Sequence, residues 1–239
     1  MRVAVVTGAS SGIGAALCRR LRRDGWHVVG LSRSPAPEAD EHRACDVSDR
    51  EAVEAAAERV LEQHPRIDLL ANNAGVSGRE GYLTAEPELV ERLIRTNYLG
   101  SVWCLRAFLP GLGEGSHVVN VVSVAGLIAV GPYSASKHAQ LAFSRSVAVE
   151  LAPRGIAVHT VNPGFVETPG FPQRARFKYG LYRLVATPDR LADRIVEAIE
   201  HGKREIVVPW WYRPPAWAQA FAPGLVARVR SRVGPRGGY

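Results

Sequence analysis

Short apolar runs alternate with helix-patterned stretches along about 200 of the 239 residues, and this alternation limits the possible folds more than any other feature. Residues 3–6, 28–31, 42–45, 67–71, 117–122, 156–161 and 205–208 read as strands. Residues 13–23, 51–63, 88–109, 133–151 and 191–200 read as helices, the long one stopped by Pro110. Strands that are apolar throughout are buried on both faces. They belong to a parallel sheet with helices on either side and right-handed crossovers. The expected fold class is α/β: a doubly wound parallel sheet of about seven strands in a single domain. Residues 165–187 and 209–239 break the rhythm, so the expected organisation is a domain over 1–208 and a tail over 209–239.

Hydrophobic residues make up 46% and charged residues 22%, an ordinary balance for a globular chain that argues against disorder and fibrous repeats. No apolar run approaches the roughly 20 residues of a membrane-spanning helix. The net charge is +7, but only Lys137, Lys178 and Lys203 are lysines. Such a bias to arginine reads as a habit of a GC-rich genome rather than as a nucleic-acid surface. Cys18, Cys45 and Cys104 are odd in number and lack metal-ligand spacing, so reduced thiols of a cytoplasmic protein are expected. The chain enters its first strand without a signal-peptide pattern.

The first strand runs directly into Thr7-Gly8-Ala9-Ser10-Ser11-Gly12-Ile13-Gly14, which opens the first helix. Gly8 suits the sharp turn, Gly12 lets a pyrophosphate approach the backbone, and Gly14 lets the helix pack on the sheet. The helix N-terminus adds free N–H groups and partial positive charge. Thr7, Gly8, Ser10, Ser11, Gly12, Ile13 and Gly14 are therefore the first cofactor-binding candidates.

The spacing T-G-x-x-x-G-x-G resembles the short-chain dehydrogenase/reductase family, and later motifs agree in order over roughly residues 2–208. The resemblance implies a Rossmann domain that binds a nicotinamide dinucleotide. About 20 residues beyond the turn, NAD-specific members place an acid against the ribose. This chain has Ser32 and Arg33 there. Serine donates a hydrogen bond and arginine grips phosphate bidentately, so NADP(H) is expected over NAD(H). Asp46 and Val47 resemble the family's adenine-contacting pair, and Asn72-Asn73-Ala74-Gly75 its N-N-A-G segment. Asn73, Ala74 and Gly75 are implied at the adenosine ribose, with amides that also tie down strand ends. Pro163, Gly164, Val166 and Thr168 fall in a segment similar to P-G-x-V-x-T and are implied to anchor the nicotinamide end.

Tyr133-Ser134-Ala135-Ser136-Lys137 puts a phenol and an ammonium one helical turn apart on one face. A phenol titrates near 10 in water, and a nearby cation lowers that value. The expected pair exchanges a proton with a substrate oxygen while hydride moves to or from the nicotinamide. Ser123 is expected to hydrogen-bond that oxygen. Asn97 is implied to hold a water in a relay with the lysine. Ser123 and Tyr133 are 10 residues apart, where the family pattern has about 13. The loop between them is therefore short, and one wall of the substrate pocket differs.

Residues 169–186 occupy the position of the family's substrate lid. Phe171, Phe177, Tyr179, Leu181, Tyr182 and Leu184 make it apolar, while Arg174, Arg176, Lys178 and Arg183 make it basic. In the tail, Trp217, Phe221, Leu225, Val229 and Val233 form a helical stripe that Pro223-Gly224 splits into two helices. The stripe is expected to pack against protein, with peripheral membrane contact the second reading and nucleic acid the last. The resemblance implies a homodimer or homotetramer acting on a small-molecule alcohol or carbonyl substrate. A dinucleotide-binding sensor or scaffold without turnover is the rival reading.

Overall fold

A computed structural model describes residues 1–169 and 185–233, apart from the side chains of Arg230 and Val233. The lid residues from Phe171 to Leu184 lie outside the described residues. Seven parallel strands are β1 (Val3–Thr7), β2 (His27–Ser32), β3 (Glu41–Ala44), β4 (Leu69–Asn72), β5 (His117–Val121), β6 (Ala157–Pro163) and β7 (Glu205–Val208). They lie in the order β3-β2-β1-β4-β5-β6-β7. The order reverses at β1, and the crevice between β1 and β4 at the strands' C-terminal ends is where such sheets bind ligands.

The helices are α1 (Gly12–Arg23), α2 (Arg50–Gln63), α3 (Pro87–Leu93), α4 (Gly100–Phe108), α5 (Gly131–Leu151), α6 (Pro188–Glu200), α7 (Arg213–Phe221) and α8 (Pro223–Val233). Two-sided burial of the sheet creates two cores. On one face Leu17 and Leu21 of α1 pack with Leu191 and Ile195 of α6. On the other, Val53 and Val60 of α2, Leu105 and Phe108 of α4 and Val147 of α5 pack against Val5, Val29 and Val118.

One expectation needs correction. The helix expected over 88–109 is not continuous: Ile94–Leu99 forms a wider π-helical turn between α3 and α4. The apolar spacing passes through this turn, and within it the buried side chain of Asn97 bonds the Val76 backbone. The tail does form two helices divided before Pro223, yet its stripe is not seated within the chain. Trp217, Phe221, Leu225 and Val229 are 59%, 86%, 60% and 51% exposed. Ala216 is buried instead, and the preceding Tyr212 lies against Gly164, where a Cβ would run into its ring. No helix of the described residues is long and apolar enough to cross a membrane.

Candidate active site

The cofactor-side candidates gather at the C-terminal ends of β1 and β4. Gly8 and Gly12 both have positive φ, 67° and 56°, in the region that favours glycine. A Cβ on Gly8 would lie 2.9 Å from the Ala74 Cα, and one on Gly12 would lie 3.1 Å from the Thr168 Cγ2. A Cβ on Gly14 would collide with the Gly8 carbonyl. The three glycines thus keep open a narrow cradle above the start of α1, where the first-turn N–H groups lack helical partners. Ser11 stands at the N-cap without capping through its side chain. Ser10 and Ile13 are half-buried beside it. Donors, curvature and absent side chains fit a pyrophosphate.

Thr7 joins this turn to the next loop. Its hydroxyl donates to the Ala71 carbonyl at 3.2 Å and accepts from the backbone N–H groups of Asn73 and Ala74, both at 2.9 Å. Asn73 Nδ2 returns a bond to the Thr7 carbonyl at 2.9 Å. Gly75 borders the catalytic candidates, since a Cβ there would lie 3.1 Å from Asn97 Oδ1 and 3.7 Å from Lys137 Nζ. Pro163 closes β6, Gly164 donates its N–H to the Val208 carbonyl at 2.7 Å, and Val166 forms a parallel bridge with Ala186. Thr168 faces Gly12.

The residues beyond β2 are arranged less simply than expected. Ser32 is buried, and its hydroxyl donates to the Ser34 carbonyl at 2.7 Å. Arg33 extends into solvent with 72% of its side chain exposed, 3.7 Å from Asp46 Oδ2. Asp46 Oδ1 accepts from the N–H and hydroxyl of Ser48 at 2.9 and 2.7 Å, a turn ahead of α2. Val47 is buried against Gly100, where a Cβ would meet its side chain at 3.0 Å.

Despite the shortened loop, Ser123 still acts on the Tyr133 phenol. Val124–Leu127 forms one tight 3-10 turn, and the Ser134 hydroxyl bonds the carbonyls of Ala125 and Ile128. Ser123 Oγ also accepts from the Ala125 N–H at 3.1 Å. Burial pushes the Tyr133 phenol above its usual range, and the Ser123 bond pulls it back. Lys137 is 4% exposed. Burial pushes its ammonium down to about 7, with Nζ donating to the Val121 carbonyl at 3.1 Å and to Gln140 Oε1 at 2.8 Å. Burial outweighs the Ser123 contribution at the phenol, while the Lys137 ammonium faces two neutral acceptors.

Asn97 is fully buried. Its Oδ1 accepts from the Val76 N–H at 2.8 Å, and its Nδ2 donates to the Val76 carbonyl at 3.0 Å and to Ser136 Oγ at 2.9 Å. Sequence reading missed Gln140 and Ser101. Gln140 Nε2 donates to Ser101 Oγ at 2.9 Å, and Ser101 Oγ donates to the Asn97 carbonyl at 3.2 Å. A continuous chain therefore runs from Lys137 through Gln140 and Ser101 to Asn97. Gln140 lies three residues beyond Lys137 on the same helix face, which was the available signal.

An α/β sheet with a glycine-lined anion cradle and a Ser–Tyr–Lys set at its end defines a dinucleotide-dependent oxidoreductase class. Residues 2–177 match the family model for short chain dehydrogenase, and the chain belongs to that family of oxidoreductases. A Streptomyces virginiae protein named for ketoacyl reduction in the monensin polyketide synthase is 42% identical over 202 residues, covering 74% of this chain and 75% of the relative. A Burkholderia cenocepacia short chain dehydrogenase solved with NADP is 27% identical, with a TM-score of 0.77 over 86% of this chain and 95% of that one. A Burkholderia phymatum short chain dehydrogenase/reductase solved with NAD has a TM-score of 0.83 over 94% of each chain at 24% identity, a likeness of fold.

Proposed function

We propose that this chain reduces a ketone or aldehyde on a largely apolar small molecule to the alcohol, using NADPH, and catalyses the reverse with NADP+. The carrying observation is the buried Lys137 one helical turn from Tyr133, with Ser123 acting on the same phenol, at the end of the crevice opened by Gly8, Gly12 and Gly14. Ketoacyl reduction in the name of the 42% identical relative supports a carbonyl substrate.

The dinucleotide supplies or accepts the hydride. The chain's residues do the rest. The backbone of the Gly8–Gly14 turn holds the pyrophosphate, Asn73, Ala74 and Gly75 line the adenosine ribose, and Asp46 and Val47 lie toward the adenine. Pro163, Gly164, Val166 and Thr168 orient the nicotinamide end. Ser32 and Arg33 select the 2′-phosphate, with the largely exposed Arg33 exchanging its Asp46 contact for the phosphate.

In the reductive direction Tyr133 is the acid. Burial keeps the phenol protonated at neutral pH, which is the form that gives a proton to a carbonyl oxygen as it gains negative charge. Ser123 bonds the same oxygen and then the phenolate left behind. Lys137, when charged, stabilises that phenolate, and Asn97 fixes the Val76 loop beside it. The same reading assigns a homodimer or homotetramer, with the exposed tail stripe seated on a second copy.

Tyr133→Phe tests the reading. NADPH oxidation over a panel of ketones, aldehydes and thioester-linked keto compounds should fall about 10²–10⁴-fold, with NADPH affinity retained. A wild-type chain that binds NADPH but turns over no carbonyl or alcohol would favour a sensor. An Arg33→Asp variant should lose its NADPH preference. Unchanged relative affinities for NADPH and NADH would remove Arg33 from the cofactor site.

A further inference from the structure

The opposite end of the sheet carries a cluster that the proposed reaction does not use. His27 opens β2, Glu41 opens β3, and His64 caps the last turn of α2. Both imidazoles direct Nε2 at the same carboxylate oxygen. The distances to Glu41 Oε1 are 2.6 Å from His27 and 2.8 Å from His64. The ring centroids are 4.9 Å apart. Arg43 Nη2 occupies the other oxygen, Oε2, at 2.7 Å and is itself held by Gln63 Oε1 at 2.6 Å. Glu41 is thereby fixed with one oxygen aimed into the gap between two imidazoles. All three side chains are partly shielded, with exposures of 19%, 23% and 17% for His27, Glu41 and His64. Their ligand atoms lie within 4.8 Å of one another, and among the described residues this is the one such trio of His, Cys, Asp or Glu.

We propose that His27, Glu41 and His64 bind a divalent transition ion of the Zn2+ type, with water as a fourth ligand. Two imidazole nitrogens and one carboxylate oxygen are a borderline-soft donor set suited to Zn2+ and unsuited to Ca2+ or Mg2+. Tetrahedral Zn2+ with bonds near 2.0 Å sets its ligand atoms about 3.3 Å apart. The two short gaps therefore open by roughly half an ångström, within reach of side-chain rotation. Protons balance: a neutral imidazole moves its proton from Nε2 to Nδ1, and an imidazolium releases one to solvent. Arg43 remains on Oε2 as the outer partner that orients the ligating carboxylate. The ion would fasten the four-residue edge strand β3 to β2 and to the end of α2. It acts at the strands' N-terminal ends, away from the crevice.

The test uses the full chain, stripped by a chelator and free of cofactor, titrated with Zn2+ by calorimetry and with Co2+ by visible absorption. The expected result is one ion per chain, intense visible Co2+ bands of a four-coordinate site without thiolate charge transfer, and a raised Tm. His27→Ala, His64→Ala and Glu41→Gln should each weaken binding at least about tenfold. His64→Gln keeps a hydrogen-bonding group toward Glu41 and serves as the variant that spares the fold, checked by circular dichroism. Absence of stoichiometric uptake, uptake unchanged in a folded His64→Gln chain, or a cobalt–thiolate band would each overturn the proposal.

Discussion

Gln140 shows how a neutral side chain governs a charged one. Lys137 is enclosed with no carboxylate partner among the described residues, so its charge rests on the Val121 carbonyl and the Gln140 amide oxygen. Removing an acceptor from a buried cation disfavours the charged form. Gln140→Leu should therefore move the alkaline limb of the kcat profile to lower pH and reduce kcat at pH 8, with little change in KM. Gln140→Glu should move that limb to higher pH, because a carboxylate favours the ammonium. A packing role alone would change the amplitude in both variants without moving the limb. The chain from Gln140 through Ser101 to Asn97 was not legible in the sequence. The Tyr133/Lys137 pair is written in one helix at a four-residue spacing, whereas this chain needs α4 and α5 to be packed side by side.

At the scale of elements, the strand–helix alternation and glycine turn were legible because each depends on local spacing. The π turn at Ile94–Leu99 was not. Leu93, Asn97 and Ser101 continue a helical spacing through it, and only the Val76 loop and Ser136 reveal why Asn97 turns aside. The tail was half legible. Pro223 marks the break between α7 and α8, but the large apolar residues that suggested packing are exposed, while Ala216 and Tyr212 make the contacts. Gly164 is where this packing can be probed, because Tyr212 fills the space of its missing Cβ. Gly164→Ala should displace the tail and speed limited proteolysis within α7. In a Tyr212→Ala background the same change should add little. Equal effects in both backgrounds would show that the two residues are not coupled.

At the scale of the molecule, the enclosed ammonium is a cost carried by the folded state. Lys137 has a folded value of about 7 against 10.5 for the free side chain. Between those values the unfolded chain binds more protons than the folded one, so stability rises with pH across that window and falls toward pH 7. The unfolding free energy of the wild type, measured in urea against Lys137→Met, should gain on the variant by up to about 1.4 kcal/mol per pH unit from pH 7 to 9. A constant difference would mean that the ammonium titrates normally. The layout of the sheet also makes the two chain ends unequal. Met1 is 91% exposed just ahead of β1, at the floor of the strands, while the tail doubles back onto Gly164 at their upper rim. A reporter fused in front of Met1 would hang clear of that rim, but replacing the segment beyond β7 would take the Tyr212 ring away from Gly164 and bare the end of β6.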